Sequence, residues 1–296
     1  MPLSDPASDA IADFMRREKL GPEFMEIVAR IYRPLATRIE TLARVRRGLV
    51  VGFCGSQGSG KSTGVAVLRL FLEATGLRVA TLSIDDLYLP KEARQRLAEN
   101  VHPLLATRGP PGTHDAALGE SLLDTLFKPQ VTAIPRFDKS LDTRADPSLW
   151  EQFQGPADVI LFEGWCVGAK PEPPQALADP VNNLERNSDP DGKWRRYVND
   201  ALAGPYQKLF GHIQFLVFLQ APSFEVVAGW RKEQEAKLRA RTGATSGVMN
   251  DDQIDRFVQF YERLTRCLLT EMPSRADAVV QLGPHREPLE LDIHIR

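Results

Sequence analysis

Gly48-Leu-Val-Val-Gly-Phe-Cys-Gly55-Ser-Gln-Gly-Ser-Gly60-Lys61-Ser62 is the stretch that decides the fold. Its first half, through Cys54, is a short apolar run with β-branched residues at its centre. A run that is apolar on both faces suits a strand buried inside a parallel sheet. Its second half, Gly55 to Ser62, matches G-x-x-x-x-G-K-[ST]. The glycines of such a loop allow backbone angles that turn successive N–H groups inward, towards a phosphate. Lys61 is then placed to reach β- and γ-phosphates, and the Ser62 hydroxyl to ligate Mg²⁺. Helical spacing begins at Thr63, so the positive end of a helix faces the same anion. Gly55, Ser56, Gln57, Gly58, Ser59, Gly60, Lys61, Ser62 and Thr63 are therefore the candidate nucleotide-binding set. Gly/Ser-rich stretches do arise by chance, but a buried strand before and a helix after is the context that a phosphate loop requires.

Outward from the loop, the chain reads as alternating strands and helices. Upstream, Ile11, Phe14, Met15, Phe24, Ile27, Val28 and Ile31 recur at helical spacing, and Gly21-Pro22 divides the run into two helices. Residues 1–47 thus form an N-terminal helical extension expected to pack on a core domain spanning 48–296. Downstream, strands are expected at 78–84, 131–135, 158–162, 213–219 and, last, 276–282. Helices are expected at 63–74, 115–127, 191–210, 224–241 and 251–271. This alternation predicts an α/β fold of the phosphate-loop NTPase type, in three layers, with a mainly parallel sheet and helices on both faces. Residues 86–114 and 163–193 read as long, Pro-rich loops, and long loops in a compact domain are usually functional.

Two strands end in acids. Ser83-Ile-Asp85-Asp86-Leu-Tyr88 closes one, and at a strand's carboxyl end Asp85 can accept the proton of an attacking hydroxyl. The bland alternative is that one Asp caps a turn and the other is solvated. Asp158-Val-Ile-Leu-Phe-Glu163 closes the other; four apolar residues followed by an acid is a pattern whose carboxylate serves Mg²⁺. Basic residues supply the complementary charge. Arg231, Lys232, Lys237, Arg239 and Arg241 lie on one helix that runs into Gly243–Gly247, which reads either as a lid over the nucleotide or as a solvated face balanced by Glu233 and Glu235. Arg108, His114 and Asp115, with Arg136 and Lys139, fall in the insertions, where they either grip an anionic acceptor or hold the loops down. The loop Gly283-Pro-His-Arg286 is a candidate for the adenine pocket.

Composition narrows the function classes. The 296 residues carry a formal net charge of -2, which implies no broad attraction to nucleic acid or anionic lipid. Cys54, Cys166 and Cys267 are far apart and form no CxxC pair, so neither a disulfide framework nor a zinc site is expected. No run approaches the roughly 18 apolar residues of a membrane span, and the first twenty residues lack a signal-peptide pattern. A cytoplasmic monomer is the expectation.

SIDDLYLP at 83–90, RGPPGTHD at 108–115, PRFDKS at 135–140 and LFEGW at 161–165 together resemble the D-glycerate 3-kinase family, and more distantly pantothenate kinase, uridine kinase and phosphoribulokinase. PVNNLE at 180–185, WRRYVN at 194–199 and RFVQFYERLT at 256–265 extend the likeness towards the C-terminus. The resemblance implies ATP and Mg²⁺ as cosubstrates and transfer of the γ-phosphoryl group to the 3-hydroxyl of D-glycerate. By the same resemblance, Lys61 and Ser62 serve nucleotide and metal, Asp85 the hydroxyl, and Arg231 the lid. Asp86, Tyr88, Arg108, His114, Asp115, Arg136 and Lys139 fall in the segments that shape the acceptor site. A nucleoside or pantothenate-like acceptor, and an ATP-switched binding module, stay open as alternatives.

Overall fold

The computed structural model describes residues 6–242 and 249–294. Chain order is α1 (Pro6–Glu18), α2 (Phe24–Ile27), α3 (Arg33–Val45), β1 (Leu49–Gly55), α4 (Lys61–Ala74), β2 (Val79–Ser83), α5 (Lys91–Asn100) and α6 (Ala116–Leu126). An insertion follows, made of β3 (Val131–Ile134), β4 (Phe137–Asp138), β5 (Thr143–Arg144) and β6 (Glu151–Gln154). The chain then returns through β7 (Val159–Gly164), α7 (Asn183–Ser188), α8 (Lys193–Ala201), α9 (Gln207–Phe210) and β8 (Phe215–Gln220). It closes with α10 (Phe224–Thr242), α11 (Asp251–Glu271), β9 (Ala278–Leu282) and β10 (Pro288–Ile293).

The main sheet runs β10-β9-β8-β1-β7-β2, parallel throughout except for β10, which pairs antiparallel with β9. Side chains alternate across it, as a strand period of two requires. Val50, Ile160, Phe162, Leu216 and Phe218 point to one face, into a core shared with α6, α9 and α11. Val51, Phe53, Leu161, Val217 and Leu219 point to the other, against α4 and the N-terminal helices. There Ile31, Leu35 and Ile39 are wholly buried, each worth about 1.5–3 kcal/mol of transfer free energy. The N-terminal helices thus form part of one outer layer, sharing its core with α4. Between α2 and α3 a π-turn at Val28–Tyr32 keeps the helix continuous through to Val45.

Three differences from the sequence reading have clear physical causes. Helix α5 lies inside the stretch read as loop, because its one fully buried residue is Arg94 and no apolar stripe marks it. The strand at 131–134 forms, but it pairs with β6 in a separate two-stranded ribbon rather than joining the main sheet. The strand at 278–282 is not the last, since β10 adds a mostly exposed edge with only Pro288 buried.

Two buried polar groups tie down the long connections. Glu185, fully buried, accepts from Arg263 Nε and Nη2 at 2.8 and 2.7 Å and from the Val181 N–H at 3.0 Å, clasping the 163–193 segment onto α11. The Tyr206 hydroxyl accepts the Gly112 and His114 N–H groups at 3.0 and 3.3 Å, so its hydrogen goes to His114 Nδ1 at 2.6 Å. Burial lowers the His114 pKa to about 4, so the ring is neutral.

Two stability predictions follow from these groups. Glu185→Ala leaves Arg263 without its main partner and should cost about 3 kcal/mol, read as a lower urea midpoint. As pH falls from about 6.5 to 4, the unfolded chain protonates His114 before the folded one does, so stability is lost across that window. Removing the group in His114→Gln should flatten the dependence of unfolding free energy on pH between those limits.

Candidate active site

The site forms where β1, β2 and β7 reach their carboxyl ends, the position at which open α/β sheets bind ligands. Strand register sets it out: Glu163 on β7 lies opposite Phe53 of β1 and Ser83 of β2, two residues from Gly55 and Asp85 respectively. A cavity of about 570 Å³ opens there.

One wall is the phosphate loop. Gly58 and Gly60 adopt φ of +76° and +90°, where a side chain would be strained, and a Cβ on Gly58 would also lie 3.1 Å from Trp230 Cβ. Gly60 caps α4, so the first N–H groups of that helix open onto the loop. Lys61 Nζ folds back to the Ser56 carbonyl at 3.0 Å. The hydroxyls of Ser56 and Ser59 are buried with no hydrogen-bond partner. Polar atoms left this way in a glycine loop are what a bound anion would satisfy. Ser62 Oγ stands 3.5 Å from Glu163 Oε1, and both residues line the cavity. Burial pushes the Glu163 carboxyl up, against the opposing pull of Lys61. A hydroxyl and a carboxylate beside a phosphate cradle make a donor set suited to Mg²⁺, which takes few protein ligands and completes its shell with phosphate and water.

The facing wall holds Asp85. Its Oδ1 accepts from the Tyr88 hydroxyl at 3.1 Å and its Oδ2 from Lys139 Nζ at 2.7 Å. Burial pushes this carboxyl up, but the Lys139 ammonium, which also hydrogen-bonds it, together with lesser contributions that include Lys61, holds the group below the usual carboxylate range. Asp85 is therefore ionised. Tyr88 is held by stacking on His114, with ring centroids 4.4 Å apart, and by the edge of Phe137 at 5.2 Å. Arg108 lines the same wall, paired with Asp142 and lying over the Phe137 ring.

The remaining sequence candidates are placed elsewhere. Asp86 lines the cavity, but its carboxylate binds Arg136 Nη1 and the Phe137 N–H, both at 2.9 Å, and so anchors the insertion. Arg136 is held between Asp86 and Glu151 and is absent from the cavity wall. Asp115 caps α6 through the Leu118 N–H and pairs with Arg144, and it too lies off the wall. His114 backs Tyr88 from behind and does not line the cavity. Arg231 does line it, its guanidinium 5.3 Å from the Phe257 ring centroid. The side chains of Lys237, Arg239 and Arg241, and the Gly243–Gly247 stretch, lie outside the described residues.

Six lining residues carry no role in the sequence analysis: Ser83, Gly164, Trp165, Trp230, Phe257 and Tyr261. Phe257 and Tyr261 sit four apart on α11, a spacing that reads equally well as core. Trp230 donates to the Pro284 carbonyl at 2.7 Å, and Arg286 stacks over its ring at 5.7 Å. These contacts bring the Gly283–Arg286 loop to the mouth of the phosphate loop.

A model of the methylmalonyl Co-A mutase-associated GTPase MeaB matches residues 32–88. That match ends at Tyr88 and so covers the phosphate loop and the first β-α-β unit. Broader similarity is to kinases. The chloroplastic D-glycerate 3-kinase of Arabidopsis thaliana is 33% identical over 264 residues, covering 81% of this chain and 54% of the relative. The chain thus spans about half the length of that plant protein. The uncharacterized kinase mug58 of Schizosaccharomyces pombe is 32% identical, over 83% of this chain and 88% of the relative. Among solved structures, D-glycerate 3-kinase from Cryptococcus neoformans superposes with a TM-score of 0.73 at 26% identity, over 89% of this chain and 99% of that one. With a phosphate loop, an ionised aspartate across the cavity, and this likeness along most of its length, the chain belongs to the same family of P-loop kinases as mug58, to which the plant and fungal D-glycerate 3-kinases are also similar.

Proposed function

We propose that this kinase transfers the γ-phosphoryl group of ATP to a hydroxyl of a small hydroxy acid, D-glycerate being the first choice. The observation that carries the reading is a single cavity with Lys61 and Ser62 on one wall and an ionised Asp85, with Lys139 and Arg108, on the other. The names of the Arabidopsis and Cryptococcus relatives supply the particular acid.

The chemistry asks little covalent work of the protein, since phosphoryl transfer is governed by positioning and charge. The loop N–H groups and Lys61 hold the phosphates. Ser62 and Glu163 would hold Mg²⁺, which neutralises charge on the phosphate oxygens when bound. Asp85 orients the attacking hydroxyl and takes up its proton as the new O–P bond forms. Lys139 and Arg108 are the cations on the acceptor side and match a carboxylate. Arg231 approaches from the nucleotide side, beside Phe257. Among the described residues no helix is long and apolar enough to cross a membrane.

Coupled ADP release with ATP·Mg²⁺ and a panel of D-glycerate, L-glycerate, pantothenate, uridine and no acceptor tests the reading. Turnover should appear with D-glycerate. Equal release with every addition, or with none, would mean an ATPase and would remove Asp85's role. Asp85→Asn should lower kcat by about 10²–10⁴-fold while leaving ATP affinity near that of the parent. Lys61→Ala, by contrast, should weaken ATP binding and abolish turnover together.

A further inference from the structure

Asp85 has both carboxylate oxygens engaged, and the two partners differ in how firmly they are held. Tyr88 donates to Oδ1 from a ring that is 4% exposed, packed between His114 and Phe137. Lys139 donates to Oδ2 from a side chain that is 60% exposed. It sits in the four-residue loop between β4 and β5, whose turn is closed by Asp138 accepting the Ser140 and Leu141 N–H groups at 2.8 and 3.1 Å. Tyr88 is fixed, whereas Lys139 is free to re-aim.

We propose that the Lys139–Asp85 ion pair is a lock opened by the acceptor's own anionic group, so that Asp85 is offered to a hydroxyl only when a carboxylate arrives with it. This rests on the preceding reading of a hydroxy acid as acceptor and adds how the site rejects neutral alcohols and water. A carboxylate entering the cavity takes Asp85's place as the partner of Lys139. The exchange keeps the ammonium paired, and solvent at this exposed side chain keeps it cheap. A neutral alcohol or water can accept a hydrogen bond from Lys139 but offers it no negative charge in exchange for Asp85.

Once Lys139 has moved, Asp85 Oδ2 can accept the hydroxyl hydrogen. The hydroxyl oxygen bonds to the γ-phosphorus, and the bond from that phosphorus to the β,γ-bridging oxygen breaks. ADP leaves with the electron pair, and Asp85 keeps the proton. The electrostatics run the same way. Burial pushes the Asp85 carboxyl up and Lys139 is the main charge holding it down, so losing that partner makes Asp85 the stronger base. Arg108 repeats the arrangement on the same wall. Its partner Asp142 is also bound by the buried Arg94 at 2.7 Å, so Asp142 stays paired if Arg108 turns to a ligand.

The test is ADP release by the parent and by Lys139→Met, which removes the charge but keeps most of the length, with ATP·Mg²⁺ and no acceptor, glycerol or D-glycerate. Opening the lock should raise release without acceptor, and with glycerol, by roughly three- to tenfold, as expected for a partly exposed charge pair. The KM for D-glycerate should rise by about tenfold or more as its carboxylate loses a cation. Lys139→Arg should restore low release without acceptor. A Lys139→Met protein that melts like the parent yet shows parental release with both water and glycerol would overturn the lock. If the parent turned over no hydroxy acid, the acceptor reading would fall, and release without acceptor would still decide whether Lys139 masks Asp85.

Discussion

The turn from β1 into α4 is the constraint on which the rest of the structure depends. Two residues at φ of +76° and +90° admit only glycine comfortably, and the strand before them has no exposed position. A strand buried on both faces demands a helical layer above and below. The N-terminal helices and α4 provide one, and α6, α9 and α11 the other. The loop's N–H groups are thereby fixed at the middle of the sheet's carboxyl edge. Asp85 and Glu163 are brought there by β2 and β7, the strands on one side, and Trp230 and Arg231 by the helix that follows β8, on the other.

The division of labour between ladder and side chains is marked. The nucleotide wall is placed by strand register and a helix start, both backbone devices. The wall facing the phosphate loop is placed by ion pairs: Asp86 with Arg136, Asp142 with Arg94, Asp115 with Arg144. This difference decided what could be read beforehand. The phosphate loop, Asp85 and Glu163 were legible because each sits at a fixed offset from an apolar run. The sheet was legible for the same reason, apart from the edge strand β10, whose residues are mostly exposed.

The acceptor side resisted reading because its charged residues look alike in sequence. Lys139 and Arg108 reach the cavity, while Arg136 spends its charge on Asp86 and Glu151, and Asp115 on Arg144. Nothing in a linear pattern separates a cation that meets a ligand from one that braces a turn. His114 is a similar case: its neutral ring, under Tyr88, supports the wall without touching the cavity. Arg94 hid a whole helix, since an amphipathic pattern centred on a buried guanidinium does not register as amphipathic.

The insertion between α6 and β7 also has a bearing on how such an enzyme can diverge. Residues 131–154 contribute no strand to the main sheet and make their ribbons only with each other. The segment carries Lys139 into the cavity without carrying any part of the phosphate cradle. On the proposed reading, its length and sequence can change with the acceptor while the phosphate cradle stays untouched. The phosphate cradle and Lys139 thus lie on separate pieces of chain, so that one can change without the other.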